Sequence, residues 1–154
     1  MRSFSGSIID VGSGGGAPGI PLAVALPQRH VTLLEANSRK CAFLEVATED
    51  LANVTVARGR AEEQETDRFG TAVAKALAQP PVAAEWCLPL VAPGGAVVLW
   101  VGPSADRERV ARVAERLAAE LAPSPPGFLV LRKLGPTPPG FPRRAGIARK
   151  RPLG

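Results

Sequence analysis

A chain of 154 residues with 45% hydrophobic and 21% charged content has the size of one domain, and folding at that size buries roughly 70% of the surface the unfolded chain exposes, so no disulfide or metal staple is needed. Cys41 and Cys87 lack CxxC spacing, there is one histidine, and no uncharged apolar run reaches membrane-spanning length. This composition predicts a cytoplasmic protein with no disulfide scaffold, zinc site, signal peptide, transmembrane span or membrane contact. The formal net charge of +5 is unevenly placed: eight basic residues stand against ten acidic ones up to Val101, and eleven against four beyond it, so the C-terminal third carries the positive field.

Met1 to Gly6 is short and polar, and a first strand starts almost at once with Ile8, Ile9 and Val11. It stops in a cluster in which Gly12, Gly14 and Gly16 let the backbone turn sharply and lie bare against a ligand. Pro18 or Pro21 then suits the first turn of a helix running to Leu26, and Pro27 ends it. A strand end, a bare loop and a helix start form a cleft at the carboxyl edge of a sheet, where open α/β folds place their ligands. Gly14-x-Gly16-x-x-Gly19 fits a dinucleotide fingerprint. Asp10-x-Gly12-x-Gly14-x-Gly16 fits S-adenosylmethionine better, because an acid two residues ahead of the first glycine suits an ammonium and a sulfonium and repels a pyrophosphate. A purely structural glycine turn is the third reading, and the lack of a following Gly-Lys-Ser/Thr excludes a P-loop. Glu35 closes the next apolar run, Val31 to Leu34, where an acid accepts from ribose hydroxyls in NAD and S-adenosylmethionine sites alike.

His30 lies in the turn before that second strand, away from the cleft. Asn37 or Ser38 caps a helix whose apolar positions are Phe43, Leu44, Ala47 and Leu51. Val54 to Ala57 forms a third strand, after which the backbone of Ala61 and Glu62 is placed to read adenine, while Glu62, Glu63 and Glu65 equally suit an acidic helix start. Thr71 to Leu77 reads as a fourth strand with Lys75 facing the cleft, Pro80-Pro81 opens a helix through Leu90, and Pro93-Gly94-Gly95 turns the chain into a strand from Ala96 to Val101. Residues 105–122 read as one amphipathic surface helix with solvated arginines, followed by a last strand, Phe128 to Leu131. Strands alternating with helices predict a doubly wound, mostly parallel α/β sheet. Residues 1–134 form the nucleotide-binding domain in this reading, and 135–154 a basic Pro/Gly-rich tail without regular structure. Such a tail either lies along a phosphate backbone or stays solvated.

The residues Asp10 to Leu22, Leu33-Leu34-Glu35-Ala36 before a basic helix start with Arg39-Lys40 and Phe43-Leu44, Gly59 to Glu63, and Leu131 to Leu134 with the tail from Pro142 to Leu153 resemble the family of bacterial 16S rRNA guanine-N7 methyltransferases also called glucose-inhibited division protein B. The resemblance implies a Rossmann-like class I fold, S-adenosylmethionine as cofactor, and 16S rRNA or the small ribosomal subunit as partner of a monomer. It implies cofactor contacts at Gly12, Ala17, Ala61 and Glu62, to which the loop reading adds Asp10, Ser13, Gly14, Gly16 and Glu35. Lys75 is expected to hold the cofactor carboxylate or a substrate phosphate, and Arg143, Arg144, Arg149 and Lys150 to bind RNA. Guanine N7 carries a free lone pair, so the implied transfer needs in-line positioning more than a general base, and no catalytic residue is assigned. Against the family pattern, the N-terminal helical segment is expected to be missing ahead of the first strand, Ala74-Lys75-Ala76 stands where Ser-Arg-Ala is usual, and Val101-Gly102 where Lys-Gly is usual. The short connection from Ala122 to Gly127 predicts a reduced C-terminal strand pair. A noncatalytic relative that binds the cofactor or RNA, and a small-molecule methyltransferase, are the alternative functions.

Overall fold

The computed structural model describes residues 6–75 and 77–154; the expectations for the first five residues and for Ala76 lie outside them. Seven strands, β1 (Ile8–Val11), β2 (Val31–Glu35), β3 (Val54–Arg58), β4 (Phe69–Lys75), β5 (Val91–Trp100), β6 (Ala119–Ala122) and β7 (Phe128–Lys133), form one sheet in the order β3-β2-β1-β4-β5-β7-β6. The first five strands pair in parallel and β7 runs antiparallel to both β5 and β6. Helices α1 (Gly19–Ala25) and α2 (Ser38–Ala47) pack on one face; α3 (Pro80–Cys87), α4 (Arg107–Arg116) and the single turn α5 (Ile147–Lys150) belong to the other.

Both faces of the central strands are covered, so apolar side chains alternate between two cores. Ile8, Val31, Leu33 and Val73 meet Ala23 and Leu44 on the α1/α2 side, while Ile9, Val11, Leu34, Ala72 and Leu99 meet α3 and α4. Fully buried side chains such as Leu33 and Leu44 each contribute about 2 kcal/mol. Asn37 caps α2, its side chain accepting from Lys40 N. Cys41, Leu44 and Thr48 are the buried positions along α2 and its C-cap, so of the expected apolar positions Leu44 is buried and Leu51 half-buried against the same core, while Phe43 and Ala47 are exposed.

Three boundaries differ from the sequence reading. The amphipathic helix ends at Arg116, and Ala118, at φ +56°, reverses the chain into β6. Its carbonyl accepts from Leu134 N and Gly135 N, which anchors the turn. The C-terminal strand pair is therefore present, with β6 four residues long, because Ala119, Leu121 and Ala122 satisfy a short strand as readily as another helical turn. β4 begins at Phe69 and ends at Lys75, with Leu77 in the following loop. β5 begins at Val91: Pro93-Gly94-Gly95 bulges out of the strand, since Val91 pairs with Phe69 but Ala96 with Thr71. A Cβ on Gly95 would stand 2.4 Å from Gly70 O, so only glycine fits there.

The C-terminal segment is folded onto the domain rather than extended from it. Lys133 is 1% exposed, and its ammonium nitrogen stands 2.7–3.0 Å from Asp67 Oδ1, Leu88 O, Val91 O and Thr137 Oγ1, four acceptors that share its three N–H groups. Thr137 also bonds Asp67, which fixes the start of the segment. Farther on, Ala148 and Leu153 are buried in the α3/α4 core. Prolines interrupt every helical or strand period here, so the sequence could not reveal that the segment is held by tertiary contacts.

Candidate functional site

β1 and β4 are neighbours, but α1 follows β1 onto one face and α3 follows β4 onto the other. The crevice between those connections is the topological switch point of the sheet. A cavity of about 310 Å³ opens there. Val11 and Gly12 form its floor at the end of β1, Leu34, Glu35 and Ala36 come from β2, and Gly59, Arg60, Ala61 and Glu62 follow β3. Leu77, Trp86 and Arg149 complete the lining.

Glu35 is 8% exposed and is held by two backbone amides: Gly14 N donates to Oε1 at 2.8 Å and Asn37 N to Oε2 at 2.9 Å. Each oxygen keeps a further lone pair for a ligand. Gly12, at φ +71°, presents bare backbone, and a Cβ there would press on Leu77. Ala61 begins a 3-10 turn, Ala61–Glu63, that brings Glu62 to the wall. The Glu62 carboxylate faces the C-terminal segment, accepting from Gly146 N at 3.1 Å. Trp86 Nε1 is buried and has no hydrogen-bond partner among the described residues, and the Arg149 guanidinium lies 5.2 Å from the centroid of the same ring.

Asp10 does not face the cavity. It is 1% exposed and turned toward α1, where Oδ2 accepts from Gly19 N at 3.0 Å, and the lack of a Cβ at Gly19 makes room for that contact. Burial raises its pKa, the bonds to Ser13 and Gly19 lower it and Glu35 raises it, and the balance pushes it up to about 6. Its task is to hold the loop on the helix, which corrects the expectation of a charge offered to the ligand. Ser13 is likewise turned inward, donating to Asp10 O. Gly14 acts by fixing Glu35, and Gly16 and Ala17 lie off the cavity lining.

Lys75 lies at the end of β4 but lines a different cavity, of about 550 Å³, together with Trp100, Ser104, Asp106 and Arg109. Trp100 packs edge-on against Phe128 with ring centroids 5.0 Å apart. The Asp106 carboxylate is engaged in capping α4, accepting from Arg109 N. Between this cavity and the first lies a third, of about 500 Å³, which shares Arg149 with one and Arg109 with the other.

Among the tail residues expected on RNA, Arg143 is not available: both its prongs bond the buried carboxylate of Glu85. Arg144 and Lys150 are exposed and line none of these cavities, so only Arg149 joins the site. Sequence reasoning missed Leu77, Trp86 and Arg149 as walls of the first cavity. A tryptophan in a helix reads as core until its indole N–H is asked for a partner. Both cysteines are buried and unpaired, burial raising both thiol pKa values, as expected of core residues.

The family model described as rRNA small subunit methyltransferase G matches residues 1–123. Proteins named ribosomal RNA small subunit methyltransferase G are similar across nearly the whole chain. The Synechococcus elongatus protein is 38% identical over 98% of this chain and 70% of its own length. That of Rubrobacter xylanophilus is 36% identical over 97% and 66%, so this chain spans about two thirds of that relative. Among solved structures, M. jannaschii TYW2 in complex with AdoMet has a TM-score of 0.68 at 17% identity, covering 85% of this chain and 68% of that one. The antibiotic-resistance methyltransferase Kmr has a TM-score of 0.66 at 15% identity, covering 84% and 86%. The fold is thus the Rossmann-like α/β fold of class I methyltransferases, the doubly wound sheet that the sequence predicts. S-adenosylmethionine is the family's cofactor, and the first cavity fits it: the volume suits a ligand of that size, an anchored carboxylate stands at the end of β2, and bare backbone stands at the end of β1. By sequence and fold, this chain belongs to the rRNA small subunit methyltransferase G family.

Proposed function

We propose that this chain transfers a methyl group from S-adenosylmethionine to N7 of a guanine in 16S ribosomal RNA, as a monomer in the cytoplasm. The observation that carries the reading is the run of three cavities along the carboxyl edge, with a cofactor cavity at one end and a cleft with an aromatic wall and a lysine at the other. In the cofactor cavity, Glu35 would hold the ribose hydroxyls, the backbone at Ala61 and Glu62 the adenine edge, and Gly12 the bare turn beneath the ribose. Leu77 and Trp86 would wall off the adenine from water.

Bound S-adenosylmethionine supplies an electrophilic methyl group on a sulfonium. The protein's part is to align the acceptor and exclude water, steps that can contribute several kcal/mol to lowering the barrier. Trp100 gives a purine a face to stack on, worth about 1–3 kcal/mol per base in comparable sites, and Lys75 stands beside it as a cation. The sole carboxylate among the described residues lining the cleft, that of Asp106, is committed to its helix cap. An acceptor that arrives with its own lone pair, as guanine N7 does, suits such a cleft; a hydroxyl that must first lose a proton suits it less.

The test is transfer of labelled methyl to bacterial small subunits and to deproteinised 16S rRNA, followed by nuclease digestion and chromatography. Label is expected in 7-methylguanosine. Label in another nucleoside refutes the N7 assignment, and no label in either RNA refutes the activity.

A further inference from the structure

We propose that Arg109 and Arg149 form a site for a phosphate group of the RNA substrate, in the middle cavity between the cofactor cavity and the Lys75–Trp100 cleft. This deepens the reading above and rests on it. The cavity lies between the start of α3, at Gln79 and Pro81, and the C-terminal segment, at Pro152. It is lined by two guanidinium groups and no carboxylate. Two cations facing one cavity create a positive potential that an anion relieves.

Both arginines are positioned in advance. Arg109 is half-buried, and its Nε donates to Gly154 O at 3.0 Å, which orients the group and leaves its terminal nitrogens as donors. Arg149 lies over the Trp86 ring with its guanidinium carbon 5.2 Å from the centroid, a cation–π contact that consumes none of its N–H donors. Neither is paired with an aspartate or glutamate among the described residues. Arg60, Arg68, Lys133 and Arg143, in contrast, are each paired with one. The helix start at this cavity cannot supply amides to an anion, because Pro80 and Pro81 have no N–H and Val82 N already donates to Gln79 O. The arginine forks are therefore the donors, and fork geometry matches phosphate oxygens.

The neighbours identify the anion. Arg149 also lines the cofactor cavity and Arg109 also lines the cleft with Trp100, so the anion would sit between cofactor and acceptor base. The phosphodiester attached to the nucleotide being methylated has that position. The sequence reading placed Arg109 among solvated arginines on a surface helix; the C-terminal segment is what turns its surroundings into a cavity.

The experiment uses the full chain saturated with S-adenosylhomocysteine and a fluorescein-labelled single-stranded RNA carrying guanines, titrated across a potassium chloride series. Arg109→Gln and Arg149→Gln are each expected to weaken binding about three- to tenfold and to flatten the log–log salt slope by about 0.7. Arg109→Lys, which keeps the charge and loses the fork, should fall between. Arg112→Gln, an exposed residue on the same helix that lines none of the cavities, should match wild type. An unchanged slope in Arg109→Gln, or an equal loss in Arg112→Gln, would overturn the proposal. Inorganic phosphate titrated into nitrogen-15-labelled protein separates the two readings, because the arginine Nε–Hε resonances report the site without RNA. Shifts at Arg109 and Arg149 with no RNA bound by wild type would uphold the anion site and overturn its RNA assignment. No shift at either would overturn the site itself. Melting temperatures of the variants close to wild type show that any loss is not unfolding.

Discussion

Arg143 grips Glu85 with two parallel hydrogen bonds, Nε to Oε2 at 2.6 Å and Nη2 to Oε1, and a further bond from Nη2 reaches Arg151 O. Glu85 is 2% exposed, in a helix whose residues from Pro81 to Cys87 are all buried. A bidentate pair at that depth couples the C-terminal segment to the α3 layer beneath the cofactor cavity.

Arg143→Ala is expected to destabilise the fold by about 3–5 kcal/mol, because it leaves a buried carboxylate unpaired. The double variant Glu85→Gln with Arg143→Met should recover a good part of that loss. Chemical denaturation checks both, and a loss below about 1 kcal/mol in the single variant would show that water replaces the guanidinium.

Removing residues 142–154 should weaken cofactor binding as well as stability, since it takes away Arg149 from the cavity wall and the Gly146 amide from Glu62. The expected signs are a lower melting temperature and a red shift of tryptophan emission as Trp86 gains water. An S-adenosylhomocysteine affinity equal to that of the intact chain, measured by calorimetry, would contradict this.

Asp10 makes stability depend on pH in a defined window. Its pKa is raised from 3.8 to about 6 in the folded protein, so between pH 4 and 6 the folded state binds more protons than the unfolded one, and stability falls as pH rises. Across that window the fall amounts to roughly 3 kcal/mol. Asp67 acts outside it. Burial raises its pKa, but its bonds to Lys133 and Thr137 outweigh that and hold it below 3.8, so its contribution is lost only in stronger acid. Asp10→Asn should flatten the profile between pH 4 and 6 relative to wild type; parallel profiles would place the titration elsewhere.

Glu35→Ala should weaken S-adenosylhomocysteine by roughly 1–3 kcal/mol through the lost ribose acceptor. It should also lower the melting temperature, because Gly14 N and Asn37 N lose their partner. Glu35→Gln, which still offers one oxygen, should recover part of each. Unchanged affinity in Glu35→Ala would remove this residue from the cofactor site.

S-adenosylmethionine at a hundredfold excess over its Kd should stabilise the protein by about 2.7 kcal/mol, several degrees in melting temperature, and NAD should not. Equal shifts with both ligands would contradict the cofactor assignment.

The local code of this chain determined the cofactor end of the site. The step from Ile8–Val11 to a glycine loop, and the acid closing Val31–Glu35, are short-range patterns whose geometry follows from φ freedom, strand alternation and the parallel sheet. Other features depended on partners distant in sequence. Asp10 and Glu35 are both acids near strand ends, and the register puts them on one face of the sheet, Asp10 beside Leu33 and Glu35 two residues farther along; yet α1 closes over Asp10, whose carboxylate accepts from Gly19 N, while Glu35 ends β2 and opens on the cavity. The same holds for the basic tail. Composition registers its charges, but burial of Ala148 and Leu153, the Lys133 ammonium between Asp67 and Thr137, and the Glu85 carboxylate under Arg143 decide which arginines are spent on structure and which are left facing a cavity. A charge is legible in the sequence; whether it has a partner is a property of the packed chain, since the carboxylates that pair with Arg143 and Lys133 lie 58 and 66 positions away.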